Sequence, residues 1–218
     1  MGIQVQQLYR AFQLYQKSGK LGDFALLKAD ALGAKANPHL APKLAGVTGY
    51  YPEINVQHLL QYPPGTFGRE YAEHLTKNQL KPFNVSPEFE AIAQRNVFAL
   101  RYAVTHDIFH CLLGFDTSYA GEIGVLAFTA AQNYSPSLQL GLTFAKLLYP
   151  LLAPRQRGAI AANLAKGQAL GKQAGFLLGY RFEDHWHEPI SEVRQRLGLP
   201  ATVEQSSREC LGDRSIKS

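Results

Sequence analysis

Cysteine is scarce in this 218-residue chain, with Cys111 and Cys210 the only two. Two thiols make no disulfide framework, so the fold must rest on buried apolar surface, and a reducing compartment is expected. Cys111 sits inside an apolar stretch and reads as a buried free thiol. No run of 18 apolar residues occurs, so no segment has the length of a bilayer-spanning helix. Acidic residues are missing before Asp23, although Arg10, Lys17 and Lys20 are present. The repeated arginines of a transit peptide are missing as well, so this segment reads as a first amphipathic helix. Gly2 invites myristoylation, but Gln6 stands where Ser or Thr is required. Blocks of Lys and Arg are also absent. The net charge of +5, from 22 basic and 17 acidic side chains, is dispersed. With no nucleic-acid motif beside it, that charge favours an anionic membrane surface or anionic ligand over nucleic acid. Strand-type alternation is not found over any useful length, which leaves an all-α class.

What is present divides into helices. With 46% hydrophobic residues the chain can bury one sizeable core, so residues 1–200 are expected to form a single-domain helical bundle with long central helices. Residues 201–218 read as a polar tail. Helical spacing covers 3–18 and 23–35, with Asp23 as an N-cap, and shorter helices follow near 54–62 and 66–78. Ser86-Pro87-Glu88 is a start signal, and the pattern then runs unbroken to Leu113 before Gly114 stops it, a helix of about 40 Å. A loop over 114–121 leads to a returning helix over 121–133. Ser135-Pro136 opens an apolar helix bent or ended near Pro150. Ala153-Pro154 begins a segment reaching about Trp186, and Pro189 starts a last short helix ending at Gly198.

One stretch, THDIFHCLLGFDTSYAGE over 105–122, sets histidines and carboxylates into apolar surroundings. At 100° per residue, His110 lies about 40° from His106 and Asp107 about 100° from it, so the three can point toward one pocket. Glu122, at the start of the returning helix, can fold back as a fourth corner. Two imidazoles with carboxylates suit zinc or iron, and the oxygen ligands also admit magnesium or manganese. The zinc-protease motif has Glu after the first His, where this chain has Asp107, so proteolysis is disfavoured. On spacing alone a second reading stands equally: two hydrogen-bonded core histidines, Asp116 capping a turn and Glu122 a solvated first-turn carboxylate.

The flanking sequence adds a resemblance. His106-Asp107-x-x-His110, eleven residues and Glu122 is similar to the signature of the coenzyme Q (ubiquinone) biosynthesis family of the fourth Coq protein. Tyr62-Pro63-Pro64-Gly65-Thr66-Phe67-Gly68-Arg69-Glu70-Tyr71-Ala72, Arg101-Tyr102, Leu113-Gly114, Trp186, Val193-Arg194 and Leu197-Gly198-Leu199 also resemble segments of that family, at intervals from about residue 50 to 199. The resemblance implies an all-helical, membrane-peripheral protein holding a divalent metal, usually described as zinc, through His106, Asp107, His110 and Glu122. It implies removal of the ring carboxylate of a polyprenylated hydroxybenzoate coupled to hydroxylation of the same carbon, and a role in organising other enzymes of quinone biosynthesis. The site would lie at the cytoplasmic face of a bacterial inner membrane or the matrix face of the mitochondrial one. The chain departs from the family pattern at Ala103, Leu126, Thr129 and His187, where Arg, Lys, Glu and Glu are usual.

A long isoprenoid partner is expected from the same resemblance. Gly167, Gly171, Gly175 and Gly179 recur every fourth residue and form a stripe, read either as close helix packing or as the floor for an apolar chain. Tyr102, one turn before His106, and Arg95, three turns before it, can meet a polar head. Arg101 points away and reads as structural. His185 and His187, beside Trp186, read as histidines placed by a helix end. The expected function is therefore metal-dependent chemistry on the aromatic head of a prenylated quinone precursor. The alternative is a non-catalytic carrier or scaffold that presents such molecules, and a homodimer is a further expectation.

Overall fold

The computed structural model describes residues 21–203 and, ahead of them, residues 6, 9, 12, 13 and 16, which are helical. The rest of the helix expected over 3–18, and the tail beyond 203 with Cys210, lie outside the described residues. Within residues 21–203 ten α-helices form: α1 (Leu21–Ala31), α2 (Ala41–Leu44), α3 (Val56–Leu59), α4 (Phe67–Lys77), α5 (Glu90–Arg95), α6 (Val97–Leu113), α7 (Tyr119–Ala131), α8 (Pro136–Leu152), α9 (Arg157–Gln173) and α10 (Ile190–Arg196). No strand occurs among the described residues, and the all-α class holds.

The centre of the bundle is α6. Its side chains are apolar on nearly every side, which suits a helix covered on most faces. Tyr71 and Leu75 of α4, Ile108, Phe109 and Leu112 of α6 and Phe128 of α7 belong to one core cluster. Leu26 and Leu27 of α1 join Ala99, Leu100 and Val104 in a second. The small residues Ala120, Ala127 and Ala130 let α7 pack among α8 and α9 in a third.

Two long helices expected from the sequence are shorter. The segment through Leu113 breaks at Asn96 (φ −121°, ψ 67°), whose side chain accepts from Ala99 N and caps α6. The Asn96 amide in turn donates to Asp30 Oδ1 (3.1 Å) and Ala34 O (3.0 Å), so α1 and its following turn anchor the break. Downstream, α9 stops at Gln173, far short of Trp186. Gln132 Nε2 there donates to Gly171 O (2.6 Å) and Ala174 O (3.1 Å), satisfying carbonyls that a longer helix would have used. Asp23 lies within the first turn of α1 and does not cap it. Its carboxylate accepts from Ser86 N and Ser86 Oγ, both at 2.7 Å, which ties the start of α1 to the approach to α5.

The segments dispersed along the chain meet around α6. Phe67 N donates to Glu188 O and Gly68 N to Trp186 O, both at 2.8 Å, and the Trp186 ring stacks on Tyr71 at 5.3 Å. Arg194 of α10 donates to Cys111 O and Leu112 O at 3.0 Å each, placing a cation on the carbonyl end of α6. Arg101 is fully buried, paired with Glu183 at 3.0 Å and donating to Tyr50 O and Tyr180 O. Its structural reading is borne out.

Candidate metal centre

His106 and His110 rise from consecutive turns of α6, and the short loop after Gly114 returns the chain to them. Gly114 ends α6 in the left-handed region (φ 71°), which a glycine adopts without a Cβ clash. Asp116 Oδ1 then accepts from Ser118 N (3.0 Å) and Ser118 Oγ (2.5 Å), and Ser118 Oγ accepts from Gly121 N to start α7. The expected cap role of Asp116 is therefore seen. A Cβ at position 121 would lie 1.7 Å from Asp116 O, so the loop can fold this tightly only onto glycine. The next residue is Glu122.

The result is a triad. Glu122 Oε2 lies 3.3 Å from His106 Nε2 and Glu122 Oε1 3.3 Å from His110 Nε2. The two imidazole nitrogens are 3.3 Å apart. One ligand atom from each residue falls within 4.8 Å of the others, a spacing a single ion could bridge. The donor chemistry fits a divalent cation. His110 Nδ1 is 3.2 Å from Phe115 O, a contact that assigns the proton to Nδ1 and leaves the Nε2 lone pair facing Glu122 and His106. Burial alone would raise the Glu122 carboxyl, but hydrogen bonds from both histidines outweigh it and hold it well below the usual carboxylate range. Burial would likewise lower His110. The hydrogen bond to Glu122, its charge and that of Asp107 outweigh this and raise it. A proton and a metal ion thus compete for one position.

Asp107 does not join these three. It is 5% exposed, one of its oxygens has no hydrogen-bond partner, and burial raises its carboxyl against the lowering effect of His106 and His110. Tyr102 packs edge-on to His106 at 5.8 Å, and burial pushes its phenol up to about 12. Arg95 is not brought to the triad. The break at Asn96 puts it on a separate helix, where Nη2 pairs with Asp30 Oδ2 at 2.5 Å.

The glycine stripe divides in two. Gly167 and Gly171 face α7 so closely that a Cβ would lie 2.2 Å from Gly124 O and 2.6 Å from Phe128 O respectively. This is the packing reading, and no apolar chain can lie along that face. Gly175 falls beyond the end of α9, where its N–H donates to Leu197 O. Trp186 is flanked by His185, whose Nδ1 is 2.6 Å from Glu188 Oε1.

Sequence spacing did not disclose His74, Tyr149 or Arg194. A cleft of ≈ 730 Å³ between α4 and the end of α6 is lined by His74, Lys77, Asn78, His110, Cys111 and Arg194 among others. His74 stacks on His110 at 6.0 Å, and burial, then the charges of His110 and Lys77, push it down to about 4. Burial pushes the Cys111 thiol up to about 12, so it stays protonated. On the other side of the triad, the Tyr149 ring of α8 meets Tyr119, three residues before Glu122, at 5.1 Å, and burial raises its phenol with the charge of Glu122 adding to the effect. At the positions where the sequence departs from the family pattern, Ala103 and Thr129 are buried, and the Tyr102 hydroxyl meets Thr129. No charge enters there.

The family described as coenzyme Q (ubiquinone) biosynthesis protein Coq4 matches residues 51–202. Among curated relatives, the mitochondrial ubiquinone biosynthesis protein COQ4 homolog of Xenopus tropicalis is 31% identical over 147 residues, 67% of this chain and 51% of that protein. The human homolog, also mitochondrial, is 28% identical over 155 residues, 68% of this chain and 56% of that one. A crystal structure of a candidate ubiquinone biosynthesis protein from Nostoc punctiforme PCC 73102 is similar with a TM-score of 0.66 at 26% identity, covering 90% of this chain and 99% of that one. The chain spans about half the length of the curated relatives it matches.

Proposed function

The chain belongs to the Coq4 family of ubiquinone biosynthesis proteins, and on that basis we propose that it binds a divalent metal at the triad and acts there on the aromatic head of a polyprenylated hydroxybenzoate. The observation that carries this reading is the convergence of His106 Nε2, His110 Nε2 and Glu122 within 4.8 Å. His106, His110 and Glu122 would hold the metal. Asp107, buried with an unpartnered oxygen, would supply the second negative charge that balances a dication. Zinc fits this donor set, and iron or magnesium are further candidates. When bound, the metal would hold ring oxygens and stabilise negative charge developing on the ring. Of the protein's own residues, Tyr102 would orient the ring, offering a protonated phenol one turn from His106. The ring carboxyl would leave as carbon dioxide and the same carbon would gain an oxygen atom from dioxygen. The second oxygen atom would become water with two protons and two electrons from an external two-electron reductant, which this chain does not itself hold. The site would face the cytoplasmic side of a bacterial inner membrane or the mitochondrial matrix.

A second reading, a carrier that presents quinone precursors to other enzymes, is favoured by one observation. Ala103, Leu126 and Thr129 bring no cation to hold a carboxylate beside the triad, and decarboxylation requires that group to be oriented. One experiment separates the two. Protein purified without detergent is analysed for metal and for extractable lipid, then given a polyprenylated hydroxybenzoate labelled in its carboxyl carbon, with zinc or iron, dioxygen and a two-electron reductant such as ascorbate. Release of labelled carbon dioxide supports the enzyme. Bound prenyl lipid with no release under either condition supports the carrier. A metal-free protein without lipid refutes both.

A further inference from the structure

One face of the His110 ring is taken by a residue from outside the triad. His110 Nδ1 lies 3.2 Å from Phe115 O, and Nε2 lies 3.3 Å from both His106 Nε2 and Glu122 Oε1. These contacts act through the two nitrogens, whose angular preferences are broad, so they restrain the tilt of the ring only weakly. The His74 ring of α4 supplies what they lack. Its centroid is 6.0 Å from that of His110 and the two planes are 18° from parallel, the offset-stacked arrangement that aromatic rings favour.

His74 is itself held from the end of α4. Asn78, the C-cap of that helix, donates through Nδ2 to His74 O at 2.8 Å, and the same nitrogen lies 3.5 Å from His74 Nδ1. A carbonyl can only accept, so this end of the amide is its NH2 group, Nδ1 is the acceptor and the His74 proton sits on Nε2. The other end, Asn78 Oδ1, accepts from Thr117 Oγ1 at 3.3 Å, in the loop between α6 and α7. His74 Nε2 is buried and has no partner. A buried N–H left unpaired is costly, so the ring does not stand parallel to His110 in order to satisfy its own hydrogen bonds. Both rings also border the ≈ 730 Å³ cleft, and close packing alone does not fix them on that side.

We propose that His74 is a positioning residue of the metal centre: held by Asn78, its ring backs the His110 imidazole and fixes the tilt that aims His110 Nε2 at His106 and Glu122. Thr117 belongs to the loop that delivers Glu122. The contacts from Thr117 through Asn78 and His74 to His110 therefore join the two arms of the triad by a second route, outside the triad itself. The part of this inference that concerns a metal rests on the proposed function, whereas the clamp on His110 is a property of the metal-free chain.

The test uses the full chain, first without metal. Nuclear magnetic resonance of protein with isotope-labelled histidines reports the tautomer of each ring, with His110 expected as Nδ1–H and His74 as Nε2–H. Cobalt(II) is then titrated in competition with a chromophoric chelator, and its visible absorption bands are recorded. His74→Leu is expected to weaken cobalt binding about tenfold, to alter those bands and to mix the His110 tautomers. His74→Phe keeps a flat ring against His110 and is expected to restore the wild-type affinity and bands. Asn78→Leu, which leaves His74 in place but unheld, is expected to fall between the two. Circular dichroism establishes that each variant is folded. Wild-type affinity and tautomers in His74→Leu overturn the proposal. So does a His74→Phe as weak as His74→Leu, which would make the imidazole itself, and not the stack, the cause. If His74→Leu does not fold, a wild-type spectrum and wild-type tautomers in Asn78→Leu overturn it instead. A wild-type chain that binds no cobalt refutes the metal centre, and the comparison of His110 tautomers then decides the clamp alone.

Discussion

Two glycines in one helix make opposite predictions. At Gly167 a Cβ would lie 2.2 Å from Gly124 O and 3.1 Å from the Ala127 Cβ, whereas at Gly158 nothing lies within 4 Å. An ordinary contact at this position needs about 3.4 Å, so Gly167→Ala requires α9 and α7 to separate by about 1 Å, backbone against backbone. Overpacking of this kind costs about 1–3 kcal/mol, with the upper end expected here because a carbonyl cannot change rotamer. Alanine's better helix propensity returns up to about 1 kcal/mol. The net loss is about 2 kcal/mol, and for a chain of this size each kcal/mol moves the melting temperature by about 2–4 °C. Gly167→Ala is therefore expected to melt about 4–8 °C lower. Gly158→Ala, near the exposed start of the same helix, is expected to melt at or slightly above the wild-type temperature, since it gains propensity and meets nothing. Thermal unfolding followed by circular dichroism checks both. If Gly167→Ala keeps the wild-type melting temperature but binds a long isoprenoid more weakly than a short one, the packing argument is wrong and the stripe serves a ligand.

Glu122→Ala is expected to lose bound metal, whereas Asp116→Ala should retain it and lose only the roughly 1 kcal/mol of a loop cap; metal analysis of the two purified variants decides. Arg101→Leu strands Glu183 without its partner and is expected to cost about 3–5 kcal/mol, read by urea denaturation, with a cost below 1 kcal/mol counting against the buried pair. His74 has a folded pKa depressed to about 4 by burial, so the unfolded chain takes up its proton first. Its contribution is fully present above about pH 6.5 and is lost as pH falls toward 4. His74→Phe should flatten stability over that window by about 2 kcal/mol, a figure reduced because the ring is partly open to solvent; an unchanged acid limb in denaturation titrations would refute this.

The triad was legible in the sequence because it is local. His106, His110, Gly114, Asp116 and Glu122 occupy one helix, one loop and one helix start, and each signal acts within a few residues: the four-residue spacing, a left-handed stop, a turn cap, and a return. What was not legible depends on distant partners. The break at Asn96 needs Asp30 and the carbonyl of Ala34, and without it Arg95 would have continued the face of His106. The early end of α9 needs Gln132 from another helix. The period of four in the glycines was real, yet Gly175 lies outside the helix that the period implied. His74 carries no local signal, because only the packing of α4 on α6 brings it to His110.

The triad is unevenly enclosed, and this decides what can approach it. The His110 side chain is 1% exposed, that of His106 24% and that of Glu122 35%. His106 and Glu122 are thus the more open members of the triad, next to Tyr102 and Tyr149, while His110 also lines the cleft on the α4 side. If Asp107 ionises beside a bound dication, it and Glu122 would together carry two negative charges and balance it without excess. An ionised carboxylate on an incoming ring would then bring one negative charge that only the cation could answer, in surroundings where burial already raises Tyr102 and Asp107. A phenolic head brings no such charge and can hydrogen-bond to the Tyr102 hydroxyl. If the triad holds a dication as proposed, a phenolic head is expected to bind more tightly than a benzoate head on the same prenyl tail, and competition between the two would measure the difference directly.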